Sequence, residues 1–437
     1  MLLGPYTLTY HFYGRFPENN LSSDPALLPM RTTSLLACFA AGQAALVAQP
    51  GAMARETMHP QRAVVATMLD ADDTGRRALL QQTAAVTAAA ALASNGAPLP
   101  VLAKADAPTW SAVDLPLATD APILFDIDFD PKNPNNGFIV GNKGTFLQTF
   151  DGGKTWQARS FANLDPDEEF NYRFTKLSFL DGEGWIIGKP AILLHTRDSG
   201  KSWERVPLSP KLPGDPYGIV ALGPGKAELT TSAGAIYVTD NSGRNWKAQV
   251  RETIDATLNR VSSSGVQGAS YFSGSINTIL RDSEGSYLAV SSRGNFYLTY
   301  KPGDEFWIPH NRETSRRITS MGFVKDKMSE GLWMSTAGGE ISKTQGDVDT
   351  QLINIPFDRM QIKSGGYGIL DVVFLQDGTA WAVGGGGTIF SSKDNGATWQ
   401  KDKSADNLPT NLYKIKFFGD NKGYVLGSSG VLLSKNK

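Results

Sequence analysis

The sequence predicts an all-β fold, a seven-bladed β-propeller made of four-stranded blades. Three observations lead to this prediction. A Trp-containing turn motif recurs along the chain, a strand–turn–strand unit occurs seven times after residue 105, and an isolated strand near residue 110 completes the last unit. The count of 45 glycines among 437 residues suits a protein with many turns.

The turn motif has the form Ser/Thr-x-Asp-x-Gly-x-Thr/Ser-Trp and is similar to the Asp-box of β-propellers. It lies at residues 149–156, 196–203 and 392–399, with a copy at 239–246 in which Asn replaces Asp. The Asp or Asn side chain accepts backbone N–H bonds within a tight turn, Gly supplies a positive φ, and Trp adds apolar surface. A structural role in clamping a hairpin is therefore expected for eight residues: Asp151, Trp156, Asp198, Trp203, Asn241, Trp246, Asp394 and Trp399.

The repeated unit is an apolar strand, a Gly-containing turn, and a second strand that leads to the Ser/Thr of the box. Its copies are residues 138–149, 185–196, 227–239, 287–299, 332–342, 381–391 and 424–434. Another apolar strand precedes each copy, at 123–129, 174–179, 217–222, 278–281, 318–324, 369–375 and 413–418. A fourth strand that begins near the Trp of the box completes each unit, which predicts seven blades.

The seventh unit ends where its fourth strand should begin. Residues 109–114 form a Trp-led strand with no partner of their own, so they are predicted to supply that strand and close the ring. The box degenerates in the fourth and fifth units, where packing must replace the clamp.

Residues 1–105 predict a targeting leader that precedes a propeller of residues 106–437. Arg76-Arg77, the weakly apolar run 83–93 and Ala103-Lys104-Ala105 have the order of a twin-arginine export signal cleaved after Ala105. An earlier apolar run at 35–48 predicts a second signal, with Met30 as an alternative start. The chain's only cysteine, Cys38, lies in this leader.

Two segments exceed the repeat. Residues 162–170 are acidic and are interpreted as a solvated loop, with a cation site as the alternative. Residues 253–277 lengthen the fourth unit and are predicted to form a surface excursion with a short helix at 253–260.

Arginine is distributed unevenly. Thirteen arginines follow residue 105, and seven of them fall within residues 251–317. The planar guanidinium suits carboxylates and interfaces. Loops at equivalent places on adjacent blades open onto one face, so a basic patch is predicted over the fourth and fifth blades. The alternative is scattered arginines paired with local acids such as Glu252, Asp282 and Glu313.

The sequence contains few signs of nucleic-acid binding, a metal site or catalysis. The formal net charge of -1 gives no general attraction to nucleic acid. With two histidines and no cysteine after residue 105, a metal hydrolase is not expected, and neither a metal nor a cofactor is predicted. Sialidases also contain Asp-boxes, but they need converging arginines and a Tyr/Glu pair, and their Arg-Ile-Pro motif is missing here. A sialidase-like glycoside hydrolase stays as the alternative function.

Longer motifs carry a specific resemblance. FNYRF at 170–174, GWIIGKPAILLHT at 184–196, AVSSRG at 289–294, PHNR at 309–312 with SRR at 315–317, and NLYKIKF at 411–417 resemble the photosystem II stability/assembly factor family, in its eukaryotic plastid form. The resemblance covers residues 108–437. It implies a non-enzymatic, seven-bladed chaperone of the plastid thylakoid lumen, reached through a transit peptide and a twin-arginine signal.

The resemblance also implies the partner and the binding residues. The partner is the newly made precursor of the photosystem II reaction-centre core subunit, in early assembly intermediates. Contact with the thylakoid membrane is expected only through that partner, and the chain is expected to be a monomer. The positions that match the family's arginine patch are Arg173, Arg260, Arg293, Arg312, Arg316 and Arg317. A scaffold with no preferred face stays as a third alternative.

Overall fold

The computed structural model describes residues 108–117, 121–164, 166–263, 272, 275–419 and 421–436. The predicted leader, its signals and its boundary at residue 105 lie outside these residues. The described strands form seven antiparallel sheets of four strands each, so the predicted seven-bladed propeller is confirmed.

The strands follow one another in order within the first six blades. Blades 1 to 3 contain β2 (Leu124–Asp130), β3 (Asn133–Gly141), β4 (Phe146–Thr149) and β5 (Gln157–Ala158); β6 (Arg173–Leu180), β7 (Glu183–Lys189), β8 (Ile192–Thr196) and β9 (Glu204–Arg205); and β10 (Pro216–Gly223), β11 (Lys226–Thr231), β12 (Ile236–Thr239) and β13 (Lys247–Ala248). Blades 4 to 6 contain β14 (Ile276–Arg281), β15 (Tyr287–Ser291), β16 (Phe296–Tyr300) and β17 (Ile308–Asn311); β18 (Ile318–Val324), β19 (Lys327–Thr336), β20 (Glu340–Lys343) and β21 (Asp358–Arg359); and β22 (Ile369–Phe374), β23 (Ala380–Gly384), β24 (Ile389–Ser392) and β25 (Gln400–Asp402).

Blade 7 joins the two ends of the described chain, as the sequence predicts. Its first three strands are β26 (Leu412–Phe418), β27 (Lys422–Gly427) and β28 (Leu432–Lys435), and its fourth is β1 (Trp110–Ala112). Trp110 pairs with Lys435 and Ala112 with Leu433. The Trp110 side chain is 1% exposed and packs edge-on against Trp381 of blade 6, so this strand is anchored by core packing as well as by pairing.

The antiparallel order gives the ring two different sides. Turns between second and third strands and the connections between blades lie on one side, which we call the hairpin side. Turns between first and second strands and the Asp-boxes lie on the other, which we call the box side. The first strands of adjacent blades contact one another and therefore surround the centre, while apolar clusters fill the spaces between blades.

Both segments that exceed the repeat contain a helix, and one expectation about them is wrong. The acidic segment is not only a loop: Pro166–Asn171 forms helix α1, and the buried Glu169 carboxylate accepts a hydrogen bond from the Phe161 amide at 3.2 Å. The predicted short helix of the second segment is present as α2, Ile254–Ser263, whose Ile254 and Leu258 pack into the core of blades 3 and 4. No helix within the described ranges has the length and hydropathy needed to cross a membrane.

Candidate functional site

The Asp-box turns are held by their own side chains. In blade 6, Asp394 Oδ1 accepts a bond from the Thr398 amide at 2.9 Å and Oδ2 accepts one from the Thr398 hydroxyl at 2.5 Å. The Ser392 hydroxyl bonds to the same carboxylate at 2.7 Å and accepts from the Gly396 amide at 2.9 Å. Asp151, Asp198 and Asn241 bind their turns in the same pattern. Each of these side chains is therefore occupied within its turn.

The bonds that hold the turn also keep the box carboxylates ionised. Donation from the Thr398 hydroxyl and amide lowers the pKa of Asp394 to about 2, and equivalent bonds from Thr155 hold the pKa of Asp151 well below its usual range. Gly153 has φ +94, and a Cβ there would lie 2.0 Å from the Tyr424 hydroxyl, so the position requires glycine. Trp156 and Trp399 are buried and Trp203 and Trp246 are half-buried, which gives the motif its apolar contact.

Four of the six predicted arginines lie together on the hairpin side, between blades 4 and 5. Arg293 is in the turn between β15 and β16, and Arg312, Arg316 and Arg317 are in the connection from β17 to β18. The two loops touch, because the Ile318 amide donates to Gly294 O at 3.0 Å and the Arg312 guanidinium donates to the same oxygen at 3.1 Å. We call these four residues the arginine cluster.

The four arginines have different local roles. Arg312 is half-buried, and its guanidinium donates to Thr314 O at 2.7 Å, Ser315 O at 3.2 Å and Asn295 Oδ1 at 3.2 Å, so it holds the connection in shape. Arg316 is exposed and pairs with Glu340 at 3.3 Å. Arg293 and Arg317 are exposed, and within the described part of the chain their side chains form no ion pair or hydrogen bond. These two are the charges most available to a ligand.

The remaining two predicted arginines lie apart from the cluster. Arg173 begins β6 on blade 2 and is also exposed on the hairpin side, with blade 3 between it and the cluster. Arg260 is on α2, where it pairs with Glu252 at 3.2 Å and lies 3.7 Å over the Phe306 ring. Phe306 belongs to the turn between β16 and β17, so the Arg260 guanidinium contacts that turn and Glu252. For Arg260 the structure shows the pairing with Glu252 that the sequence left as an alternative.

The centre of the ring contains a charge network that sequence analysis missed. Each first strand has a shift in register, and the residue after it is Asp126, Lys176, Gly218, Thr278, Ser320, Asp371 or Lys414 in blades 1 to 7. From the sequence these strands are predicted only as apolar. The seven residues are recognised as equivalent only when the register shifts are known, because each shift interrupts the alternation of side chains along its strand.

This network ties neighbouring blades together at the centre. Lys414 Nζ lies 3.1 Å from Asp126 Oδ1, and Asp371 Oδ2 accepts a bond from the Ile415 amide at 3.0 Å. Burial favours the neutral acid, but the ammonium groups of Lys414, Lys416 and Lys176 together outweigh it and hold the pKa of Asp126 well below its usual range. For Asp371 burial dominates and raises the pKa to about 6. The same Lys414 ammonium lowers the pKa of Lys176 to about 7.

One arrangement bears on the glycosidase alternative. The Tyr287 hydroxyl donates to Glu228 Oε1, and Arg281 Nε donates to the same oxygen at 2.6 Å. Tyr287 is 3% exposed, and burial raises the pKa of its hydroxyl well above the usual range, to which the Glu228 charge adds. A nucleophile needs the opposite shift and access to substrate. The group is therefore a buried polar contact between blades 3 and 4.

Metal chemistry has no support in the described residues, which contain no group of three or more His, Cys, Asp and Glu placed to hold an ion. The hairpin side with its arginine cluster is consequently the best candidate site. It offers exposed guanidinium groups on a rigid ring, and such groups bind carboxylates.

Comparisons with known proteins agree with one another. A family model described as photosynthesis system II assembly factor YCF48 matches residues 102–435. The chain is 58% identical over 335 residues to a chloroplastic photosystem II stability/assembly factor of Guillardia theta, which covers 76% of this chain and 84% of that protein. A solved YCF48 structure from Cyanidioschyzon merolae is 50% identical with a TM-score of 0.71, covering 75% of this chain and 99% of that one. A second solved structure, YCF48 bound to a D1 peptide, is 39% identical with a TM-score of 0.64 and covers 76% and 96% of the two chains.

Proposed function

The chain belongs to the photosystem II assembly factor YCF48 family, and from this premise we propose that it is a non-enzymatic assembly factor that binds newly made reaction-centre core subunit through the arginine cluster. D1, the subunit named for the solved YCF48 complex, is the proposed partner. The observation that carries the proposal is the pair of exposed arginines, Arg293 and Arg317, on two loops that touch at Gly294.

The physical chemistry of the cluster suits a transient complex with an acidic or carboxylate-bearing segment. Charge-assisted hydrogen bonds contribute roughly 1.5–3 kcal/mol each in gross terms. Positive charge concentrated on one face also steers encounter, and it makes the association rate fall as salt is added. Arg312 contributes by holding both loops, because its four hydrogen-bond acceptors belong to them.

We also propose that the protein works in the thylakoid lumen of a plastid. The named relatives are chloroplastic, and the leader has the order of a twin-arginine signal. Contact with the membrane is then made through the bound subunit, and the ring acts as a monomer. The hairpin side faces the reaction-centre subunit in this arrangement.

The test is capture of reaction-centre subunits from solubilised thylakoids with the full chain as bait. The Arg293→Ala/Arg317→Ala variant is compared with a control, Lys154→Ala/Arg244→Ala, which removes two exposed positive charges from box-side turns instead. The unmodified chain and the control are expected to capture D1, and the cluster variant is expected to lose most of it, with the difference shrinking as salt is raised. Equal capture by both variants would contradict the proposed face, and no capture by the unmodified chain would contradict the proposed function.

A further inference from the structure

One core position differs between blade 5 and the other six blades. In each blade this position is the third-strand residue whose side chain packs toward the preceding blade, opposite a second-strand residue that does the same. The pairs are Ile139–Leu147, Ile186–Leu194, Leu229–Tyr237, Ala289–Leu298, Met334–Ser342, Ala382–Phe390 and Val425–Leu433. Six blades place a large side chain there, and four of those are leucine. Blade 5 has serine.

The serine leaves a cavity. Leu147, Leu298 and Leu433 are at most 2% exposed and fill the space between their own blade and the one before it. Ser342 is half-buried, and beside it lies a cavity of about 230 Å³ between blades 4 and 5. Protein interiors are close-packed, and this position is filled elsewhere in the same ring. The volume is therefore a local feature of blade 5.

The cavity has a mixed lining and a charged mouth. Met334, Ile341 and Phe357 contribute its apolar residues, beside the polar Thr336 and Ser342. Arg312 and the exposed Arg359 contribute guanidinium groups, while Glu313 and Glu340 contribute carboxylates. The wall on the side of blade 4 is formed by residues 312–315 of the connection between β17 and β18, which carries three arginines of the arginine cluster, so the cavity opens beside the proposed docking face.

We propose that this cavity, the blade-5 pocket, receives one apolar side chain from the acidic segment of reaction-centre subunit that docks on the arginine cluster. The inference rests on the proposed function and adds to it a requirement on the partner. The docked segment must carry a leucine-sized or phenylalanine-sized residue next to its acidic or carboxylate group. Arginines hold the carboxylate at the rim, and the apolar residue enters the space where other blades place their own side chain.

Two features favour this occupant over others. The pocket lies at the position where the six other blades place a leucine, tyrosine or phenylalanine, and Met334, Ile341 and Phe357 line part of it, which suits an apolar residue of the partner. The mouth of the pocket carries charges of both signs, and its arginines are close to those of the arginine cluster. This arrangement suits a peptide whose backbone carries a carboxylate nearby. A second copy of this chain is the alternative occupant, and the experiment separates it.

The test is the Ser342→Leu variant of the full chain. Four other blades hold leucine at this position, so the variant is expected to fold and to gain stability, which thermal unfolding checks. Overlapping peptides that tile the D1 precursor are then titrated, and the tightest is kept. Burial of one large apolar side chain corresponds to a change of roughly tenfold to a hundredfold in affinity. Ser342→Leu is expected to weaken the peptide by that factor, whereas Ser329→Leu, an exposed position on the same blade, leaves affinity unchanged.

A double-mutant cycle gives the sharper reading. Alanine replacement of one apolar residue of the peptide is expected to weaken binding to the unmodified chain by the same factor and to have no further effect on Ser342→Leu. Equal loss on both proteins overturns the pocket proposal, as does unchanged affinity of Ser342→Leu. If Arg293→Ala/Arg317→Ala abolishes binding while Ser342→Leu leaves affinity unchanged, the arginine cluster is supported as the binding site and the pocket proposal is overturned. The converse result supports the pocket and overturns binding through the arginine cluster. A dimer that Ser342→Leu dissociates would assign the pocket to a second copy, and failure of every peptide to bind the unmodified chain would overturn both proposals.

Discussion

Replacing Lys414 with methionine tests whether the central charge network stabilises the ring. The Lys414 ammonium lies 3.1 Å from Asp126, whose side chain is 4% exposed. Methionine keeps much of the apolar stem and removes the charge, so the Asp126 carboxylate stays buried with its main partner gone. Breaking a buried ion pair from one side costs about 3–5 kcal/mol. Lys176 reduces this cost, because its pKa is held at about 7 chiefly by Lys414 and its ammonium is restored when Lys414 is lost.

The expected loss is therefore near the lower bound, about 3 kcal/mol. The unfolding entropy is about 2.1 cal/mol/K per residue, which over about 330 residues gives about 0.7 kcal/mol/K. A loss of about 3 kcal/mol then lowers the Tm by about 4 °C. Differential scanning calorimetry at neutral pH measures this shift. Neutralising the acid as well, in Asp126→Asn/Lys414→Met, is expected to restore at least half of it, since the carboxylate that lost its partner is removed.

The control is Lys401→Met, which breaks a half-exposed ion pair with Asp406 at 2.6 Å. Exposed pairs contribute about 0–1 kcal/mol, so this variant is expected to shift the Tm by less than about 1.5 °C. The reasoning is refuted if Lys414→Met shifts the Tm no more than Lys401→Met. It is also refuted if the double variant is less stable than the single one.

Three further predictions concern other parts of the ring. Burial raises the pKa of Asp371 from 3.8 to about 6. Between these values the folded chain binds a proton that the unfolded chain has lost, so stability falls as pH rises through this range, by up to about 3 kcal/mol. Asp371→Asn is expected to remove this contribution to the dependence of Tm on pH between pH 4 and pH 7, and parallel Tm curves for the two proteins would contradict it. Asp394→Ala removes the acceptor of the Thr398 amide at 2.9 Å, so hydrogen exchange at that amide should accelerate at least about tenfold, and unchanged exchange would show that the clamp is dispensable. Gly294 has φ +61 and a Cβ there would lie 2.2 Å from a backbone oxygen of blade 5, whereas Gly303 has φ +99 and nothing within 4 Å; Gly294→Ala should lower the Tm well beyond Gly303→Ala, and equal shifts would contradict the close approach.

Much of the fold was accessible from the sequence because each blade repeats the same physical solution. The box turns, the hairpins and the Trp110 strand that closes blade 7 follow from turn chemistry and strand patterning, and all lie where they were predicted. The acidic segment was misread because its burial depends on a tertiary contact. Glu169 turns inward to accept the Phe161 amide, which composition alone does not indicate.

The candidate site was accessible only in part. Clustering of Arg293, Arg312, Arg316 and Arg317 follows from propeller geometry once the repeats are aligned. That Arg312 is committed to holding its own loops, and that Arg260 packs over Phe306, depends on side-chain contacts that sequence spacing does not determine. The blade-5 pocket required strand register, because Ser342 stands out only beside its six counterparts.

The most direct test of the central claim is site-specific photo-cross-linking of the chain to its partner. A benzophenone side chain is placed at position 293 on the hairpin side, and in a separate protein at position 244 on the box side, and each is irradiated with solubilised thylakoids. We expect a cross-link to a reaction-centre core subunit from position 293 and none from position 244. A cross-link from position 244 alone would show that the opposite face of the ring binds the subunit, and would contradict binding through the arginine cluster.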